Sequence, residues 1–266
     1  MRTVDNYARL GQVIKPLFYD RLTILPNEKS IRTILEKHPK LVWTVSHGPG
    51  FAPAFINTAL QEVLLKNGGA ERRQLMIAWK HFYKIPLLKQ LIQHFSQLEQ
   101  PLHGDEIIQK FSSQNYNDFI VYPEGENSIY GDGTKIEEFV SPRFLEVAIA
   151  AEAPVLIAAH YGSQKSASKI TLSEKQVRWI KKLSPKAIQK LAKPGDVYLP
   201  GFQYSKTPEF KVIFKLYKPK LTLTSLPAEP ADRQRALAKE AEKIRKIMQG
   251  LLNEITGVNE LAGTDT

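Results

Sequence analysis

The amino-acid sequence predicts an α/β fold, in which a mixed, mostly parallel sheet is covered by helices on both faces. Short apolar runs typical of buried strands alternate with segments whose apolar residues recur every three or four positions, as in helices. One run, residues 211–217, has a period of two, which is typical of an edge or half-buried strand. The 266 residues suffice for one elaborated domain or two small ones, and we expect a single domain over residues 1–256.

Residues 1–40 are predicted to form a helical region that precedes the first clear strand–loop–helix unit. The strand of that unit is the apolar run LVWTV at 41–45, and Pro53 suits the first turn of the helix after the loop. Gly68 and Gly69 end this helix. Its helical spacing predicts a buried face formed by Ile56, Ala59, Leu60, Val63 and Leu64.

The middle of the chain repeats the alternation of strand and helix. We predict strands at 74–78, 119–122 and 154–159. We also predict helical segments near 81–95 and 105–114, and a further helix that starts at Ser141-Pro142. Binding sites in such sheets lie beyond the carboxyl ends of strands, so the loops after residues 45 and 122 are expected to share one cleft.

The last predicted helix spans about residues 232–255 and carries an apolar stripe at alternating steps of four and three. The stripe consists of Leu237, Ala241, Ile244, Met248, Leu251 and Ile255. We interpret it as core packing, and a dimer seam is the alternative interpretation. Residues 257–266 are expected to be a disordered tail.

The charge of the chain is strongly asymmetric, with a formal net charge of +10. Residues 174–193 hold seven Lys or Arg and one acid, interleaved with Trp and aliphatic residues inside a predicted basic insertion at about 162–205. This mixture is typical of an element that lies in a lipid headgroup layer, which predicts contact with an anionic membrane surface. The predicted contact residues are Lys175, Arg178, Trp179, Lys181, Lys182 and Lys186. The alternative is a solvated hairpin with its apolar face on the domain.

Several classes of chemistry lack their sequence signatures. The chain has no cysteine, which excludes disulfides, thiolate zinc sites and cysteine nucleophiles, and its six histidines show no metal-ligand spacing. Phosphate-binding and dinucleotide-binding glycine motifs, the G-x-S-x-G elbow of serine hydrolases and nucleic-acid-binding signatures are absent as well. Without an apolar run long enough to span a bilayer or a signal peptide, we expect a cytoplasmic protein that binds the inner membrane face peripherally.

Five segments in order make the chain resemble the glycerolipid acyltransferase family, in its lysophosphatidate acyltransferase branch. They read SHGPGFAP at 46–53, AWKHFYKIP at 78–86, VYPEGENS at 121–128, APVLIAAH at 153–160 and VIFKLYKP at 212–219. The resemblance implies that the chain moves a fatty acyl group from acyl-CoA or acyl carrier protein to a hydroxyl or amine of a lipid-like acceptor. It implies no bound cofactor and no metal.

The resemblance also implies roles for individual residues. His47 matches the family's general base, and the ordinary pKa of imidazole, about 6.5, suits that task near neutral pH. Glu124 and Gly125 would shape the opposite wall of the substrate site, while Lys80 and Lys84 would approach the acceptor head group. The alternative for the two lysines is that they are solvated charges on a helix. We interpret His160, at the end of a predicted strand, as satisfying a backbone carbonyl, and the alternative is that it lines the cleft.

Two positions depart from the family pattern. Ala52 stands where the family has an acid behind the histidine, and Glu126-Asn127 replaces the Thr-Arg that follows Pro-Glu-Gly. Loss of the arginine argues against a phosphate-bearing acceptor, because a guanidinium group is suited to hold phosphate. One hypothesis is that Glu126 replaces the missing acid and orients His47. The alternative function is a catalytically impaired lipid- or acyl-binding protein on the same scaffold.

Overall fold

The computed structural model describes residues 2–50, 52–78, 83–84, 86–102, 104–113, 115–129, 131–164, 167–183, 194–200 and 206–257. Helices and strands alternate through much of this part of the chain. The helices are α1 (Val4–Phe18), α2 (Glu28–Lys37), α3 (Ala52–Lys66), α4 (Pro86–Ser96), α5 (Gly104–Ser112), α6 (Arg143–Ala150), α7 (Glu174–Leu183) and α8 (Pro230–Thr256). The strands are β1 (Tyr19–Leu25), β2 (Leu41–Val45), β3 (Gln74–Met76), β4 (Asp118–Val121), β5 (Val155–Tyr161), β6 (Ala167–Leu172), β7 (Gly195–Pro200) and β8 (Thr207–Tyr217).

Six of these strands form one mixed sheet in the order β1-β8-β5-β2-β4-β3. The four strands β5, β2, β4 and β3 run parallel, whereas β8 is antiparallel to β5 and parallel to β1. The remaining pair, β6 and β7, forms a separate antiparallel ribbon. This topology confirms the predicted mixed, mostly parallel sheet.

Apolar side chains cover both faces of the sheet, because successive residues of a strand point to opposite sides. On one side, Trp43 and Val45 of β2 pack with buried residues of α1, α2 and α3. On the other side, Val42 packs in a cluster that includes residues of α6 and α8. Two layers of helices around one sheet are therefore confirmed, as the sequence predicts for this fold class.

The apolar stripe of α8 is part of the core. Its six predicted residues are all buried, and they belong to the same cluster as Val155 and Ile157 of β5. The interpretation of the stripe as core packing is confirmed, and the alternative of a dimer seam is wrong because the sheet already covers these side chains.

The structure differs from the sequence prediction mainly in the N-terminal region and in the basic insertion. The region 1–40, predicted as helical, contains the strand β1 at the sheet edge. The predicted basic insertion contains the ribbon of β6 and β7 as well as α7. Residues 184–193 of this insertion lie outside the described residues, as do residues 258–266 of the predicted tail.

Candidate active site

Three of the segments that carry the sequence resemblance meet at the carboxyl ends of the parallel strands. Strands β2 and β4 run parallel, with Thr44 beside Val121. Ser46-His47 and Pro123-Glu124 therefore lie together beyond the carboxyl ends of these strands. Strand β5 runs parallel to both and brings His160 to the same end of the sheet. The predicted meeting of the histidine loop and the Pro-Glu-Gly turn is confirmed.

Glu124 joins these two loops through its carboxylate. Its Oε1 atom accepts a hydrogen bond from the backbone N–H of His47 at 2.8 Å, and its Oε2 atom accepts one from the backbone N–H of Glu137 at 2.7 Å. The side chain is only 1% exposed. Both oxygens are therefore engaged with backbone groups, which makes Glu124 a clamp between loops, while its predicted role in the substrate site stays a prediction.

Burial determines the acidity of Glu124. Removing the carboxylate from water raises its pKa to about 7, and the negative charge of Glu137 adds to this effect. The two N–H donors and Arg245 oppose the rise in pKa without cancelling it. The clamp is thus a carboxyl group that changes its charge near neutral pH.

Gly125 permits the sharp turn after Glu124. Its φ angle of +53° lies in the left-handed region, which favours glycine. A Cβ atom at this position would lie 3.1 Å from Cγ2 of Val140. The role of Gly125 in this structure is accordingly to shape the turn, while its predicted contact with substrate stays a prediction.

The His47 ring is held in one tautomer by the main chain. Its Nδ1 atom lies 2.8 Å from the carbonyl oxygen of Gly48. A carbonyl oxygen can only accept a hydrogen bond, so Nδ1 carries the proton and Nε2 keeps its lone pair. Burial lowers the pKa of the ring, and the hydrogen bond to Gly48 opposes this only in part. At neutral pH the half-buried ring is therefore an uncharged imidazole with Nε2 as its basic atom.

An aromatic side chain fixes the other side of the His47 ring. Tyr122 contacts it edge-on, with ring centroids 5.7 Å apart and ring planes at 79°. The hydroxyl of Tyr122 in turn donates a hydrogen bond to Oδ1 of Asn57 on α3 at 2.6 Å. The imidazole thus lies between a main-chain carbonyl and a tyrosine that is anchored to the following helix.

Ala52 begins α3 directly beside the histidine loop. It is fully buried, and its backbone N–H donates a hydrogen bond to the carbonyl of Pro49 at 2.9 Å. Gly48 adopts φ of +68°, and a Cβ atom built there would lie 2.9 Å from Cβ of Ala52. The small side chain at position 52 therefore fits a loop that approaches the start of the helix closely.

Glu126 does not take the place of the missing acid. It lies with Asn127 on the exposed side of the short 3-10 turn Gly125–Ser128, and among the described residues no hydrogen bond joins it to His47. The carboxylate that reaches the histidine loop is Glu124, which binds the backbone and not the ring. The hypothesis that Glu126 orients His47 is corrected for this reason: two residues further along the turn, its side chain points to solvent.

Three further residues are predicted to bind substrate, and the structure describes two of them. Asn127 donates a hydrogen bond from Nδ2 to the carbonyl of Glu138 at 2.9 Å, which anchors the loop that follows the turn. Lys84 is exposed, and Lys80 lies outside the described residues. The roles assigned to the two lysines stay predictions.

The predicted membrane contact lies on α7. Lys175, Arg178, Lys181 and Lys182 are exposed, and Trp179 is 55% exposed although it is a large apolar residue. The Nζ atom of Lys182 lies 6.0 Å from the centroid of the Trp179 ring. Lys186 lies outside the described residues. In the part of the chain that the structure describes, no helix has the length and apolar character needed to cross a bilayer.

His160 lies buried near the end of β5, the strand beside β2. Its side chain is 2% exposed and stacks on Phe210 with centroids 5.3 Å apart. Neither ring nitrogen has a well-placed hydrogen-bond partner among the described residues, yet the backbone of His47 and of Ser46 interacts with the ring, so the interpretation that it satisfies a backbone carbonyl stays a prediction. Burial, followed by the charge of His47, lowers its pKa to about 4. Its position at the end of a strand was the available signal.

Two surface concavities of the described residues lie away from His47. One is bordered by residues of α5. The other lies near the amino ends of the central strands, beside His38 and Tyr116. The described residues include no group of His, Asp or Glu arranged to hold a metal ion.

No family model and no curated protein matches the sequence. One solved structure similar to this chain is the 1-acyl-sn-glycerophosphate (LPA) acyltransferase PlsC from Thermotoga maritima, with a TM-score of 0.43 and 16% sequence identity. The match covers 91% of this chain and 78% of that chain. At this level of similarity, neither activity nor substrate can be transferred from one protein to the other.

Proposed function

We propose that this chain is an acyltransferase, in which His47 acts as general base on the acceptor. The observation that carries the proposal is the state of the ring: Nδ1 is bound to the Gly48 carbonyl, and the lowered pKa leaves the imidazole uncharged. A neutral imidazole with a free Nε2 lone pair can take a proton from a hydroxyl or amine. The order of the five sequence segments supports acyl transfer as the reaction.

The proposed step needs neither a covalent acyl-enzyme nor a cofactor. Nε2 of His47 removes the proton of the acceptor hydroxyl or amine while that atom attacks the thioester carbonyl of acyl-CoA or acyl carrier protein. The new C–O or C–N bond forms, the C–S bond breaks, and the proton held by His47 passes to the leaving thiolate. Because the Gly48 carbonyl is uncharged, it stabilises the imidazolium less than a carboxylate would, so a modest rate is expected.

The acceptor is proposed to be lipid-like and to lack a phosphate monoester at the reacting end. Asn127 is engaged with the Glu138 carbonyl, and Glu126 lies exposed beside it, so this turn presents no guanidinium and one extra carboxylate. A carboxylate repels a phosphate, whereas a neutral or cationic head group meets no such barrier. The change from Thr-Arg to Glu126-Asn127 would therefore alter acceptor choice.

Contact with an anionic membrane on its cytoplasmic side is part of the proposal. The exposed cations and Trp179 of α7 suit a headgroup layer. Helix α1 adds exposed apolar side chains, since Leu10, Val13 and Leu17 are 38%, 76% and 58% exposed. The carboxyl end of α1 lies near the histidine loop, because Phe18 packs on Phe55 in the first turn of α3 with centroids 4.7 Å apart.

A binding protein that retains the scaffold is the second candidate function. Ala52 favours it, because the acid that normally stabilises a catalytic imidazolium is absent. Incubation of the protein with labelled acyl-CoA, or with labelled acyl carrier protein, and a lipid extract separates the two candidates when the lipids are analysed by mass spectrometry.

An acylated lipid that is formed by the natural chain and not by a folded His47→Gln variant is the result expected of the enzyme. His94→Gln is the matched control, since His94 contacts Tyr7 on α1 and lies away from the histidine loop. Absence of any acylated product with both donors would contradict the enzyme. Retained binding of lipid by both variants would then support the binding protein.

A further inference from the structure

The orientation of His47 depends on the carbonyl of a single glycine. Gly48 points its oxygen at Nδ1 of the ring from a backbone with φ of +68°. Glycine enters this left-handed region easily, but for the same reason it can leave it easily. In a chain without the acid at position 52, a stable direction for this carbonyl requires a restraint from outside the loop.

His160 lies where such a restraint is needed. A Cβ atom built on Gly48 would be 2.8 Å from Cε1 of the His160 ring, so the ring edge contacts the glycine directly. The Cβ atom of Ala52 would lie 2.9 Å from the same built atom. With both side chains this close, the glycine has little room to turn its carbonyl away from His47.

The His160 ring is itself rigidly placed. It stacks on Phe210 with ring planes at 28°, and its backbone N–H donates a hydrogen bond to Oγ of Ser46 at 3.2 Å. Ser46 is buried and its own N–H binds the carbonyl of Ala158, so the start of the histidine loop is fastened to β5. A fixed strand thereby supports the ring that contacts the loop.

The contact with Gly48 is steric rather than a hydrogen bond, because the ring atom nearest to the glycine is the carbon Cε1. Hydrogen bonding of the ring with the backbone of Ser46 and His47 opposes the fall in its pKa and does not involve Gly48. Burial is the main cause that lowers the pKa of the ring to about 4, so His160 is uncharged at neutral pH. The shape of the ring is what the loop uses.

We propose that His160 is a positioning residue, which holds the Gly48 carbonyl against His47 and so performs the orienting task of the acid that Ala52 replaces. This inference rests on the proposed function of His47 as a base. It assigns His160 no contact with substrate and no proton transfer. It predicts that an aromatic ring without nitrogens can replace the imidazole.

The test compares His160→Ala, which removes the ring, with His160→Phe, which keeps a ring that can stack on Phe210. The tautomer of His47 is read from the ¹⁵N shifts of its ring nitrogens by NMR, with the signals assigned through His47→Gln. His94→Ala is the matched control, because it removes a histidine that contacts α1 instead of the loop. Near-ultraviolet circular dichroism establishes that each variant is folded.

In the natural chain, in His160→Phe and in His94→Ala, we expect His47 to carry its proton on Nδ1. In His160→Ala we expect a mixture of the two tautomers. Where acyl transfer is measurable, His160→Ala should lose about 10- to 100-fold in rate, since small misplacements of a catalytic group cause losses of this order, and His160→Phe should stay within about threefold.

The proposal is overturned by an unchanged His47 tautomer in folded His160→Ala, or by equal loss of the Nδ1-protonated form in folded His160→Phe and His160→Ala. If His160→Ala does not fold, the tautomer of His47 in folded His160→Phe tests the proposal. A proton kept on Nδ1 supports it, and loss of that form overturns it. Because the tautomer is measured without substrate, a chain that lacks acyltransferase activity still tests this inference, and the failure of one can be told from the failure of the other.

Discussion

The carboxylate of Glu124 binds the backbone N–H of His47 at 2.8 Å, so the Pro-Glu-Gly turn holds the histidine loop without touching the imidazole. Its second oxygen holds Glu137 in the same way. Two motifs that are far apart in sequence are thereby joined by one buried side chain. The pKa of about 7 makes this junction sensitive to pH.

Glu124→Gln is expected to change how stability depends on pH. The pKa of Glu124 in the folded chain, about 7, exceeds its ordinary value of 4.5, so the folded state binds this proton more tightly than the unfolded state. The resulting stabilisation is fully present below pH 4.5 and is lost as pH rises through about 7. Glutamine cannot ionise. The free energy of unfolding of the variant relative to the natural chain should therefore rise by about 3 kcal/mol between pH 4.5 and 8.

Urea unfolding at several pH values measures this difference. Glu126→Gln is the matched control, because Glu126 is an exposed carboxylate on the same turn and should show no such trend. A difference between Glu124→Gln and the natural chain that stays constant over the whole pH range would contradict the burial of an ionisable clamp.

His47 is expected to titrate below its ordinary pKa of 6.5, because burial disfavours the imidazolium. The ring proton shifts of His47 in NMR spectra, followed from pH 4.5 to 8, give the midpoint directly. The same residue in the urea-unfolded chain provides the reference, with a midpoint near 6.5. A folded-state midpoint above the reference would mean that an acid reaches the ring after all.

Gly48→Ala should destabilise the chain more than Gly68→Ala does. Both glycines have positive φ, +68° and +83°, so both substitutions strain the backbone, by roughly 1 kcal/mol. Only at Gly48 would the new methyl group also meet His160 and Ala52, within 2.9 Å, while nothing lies within 4 Å of it at Gly68. We expect an additional loss of about 1 to 3 kcal/mol at Gly48, from overpacking. Equal losses in chemical unfolding would contradict the close contacts.

Ala52→Asp restores the acid of the family pattern, but it is not expected to restore an ordinary catalytic pair. Nδ1 of His47 already binds Gly48, and position 52 is fully buried against that glycine. A carboxylate there should cost about 3 kcal/mol of stability, as buried charges without a partner do, and should not raise acyl transfer. Ala52→Ser is the small polar control. A rise of tenfold or more in rate, with stability retained, would show that the natural chain lacks a needed acid.

Local signals explain which parts of the fold were predicted from the sequence. Strand β2 and helix α3 carry their own apolar period and their own glycine stop, so both were predicted close to their observed bounds. Strand β1 has no comparable signal, because its formation depends on pairing with β8 from the other end of the chain, with Tyr19 beside Thr207. Non-local pairing of this kind is decided by tertiary contacts and not by local preference.

The candidate site shows the same division. His47 and the Pro-Glu-Gly turn were found because they follow apolar strands, and the carboxyl ends of these strands lie side by side. The supporting contact of His160 with Gly48 was missed, since it requires β5 to lie directly beside β2, with Val45 next to Ala158. The hypothesis that Glu126 replaces the missing acid was wrong, because residues 124 and 126 differ in burial within one short turn. A sequence motif does not show this difference.

Removing two cations of α7 should weaken binding to anionic vesicles. Each Lys near such a surface contributes about 1 kcal/mol, so Lys181→Ala combined with Lys182→Ala should reduce binding by about 30-fold at low salt. The matched control is Lys239→Ala with Lys243→Ala, which removes two exposed cations of α8 and leaves the net charge equal to that of the test variant. Sedimentation with phosphatidylserine-containing vesicles measures both. Equal weakening in the two variants would mean that overall charge, and not α7, draws the chain to the membrane, and unchanged binding in both would contradict an electrostatic contact.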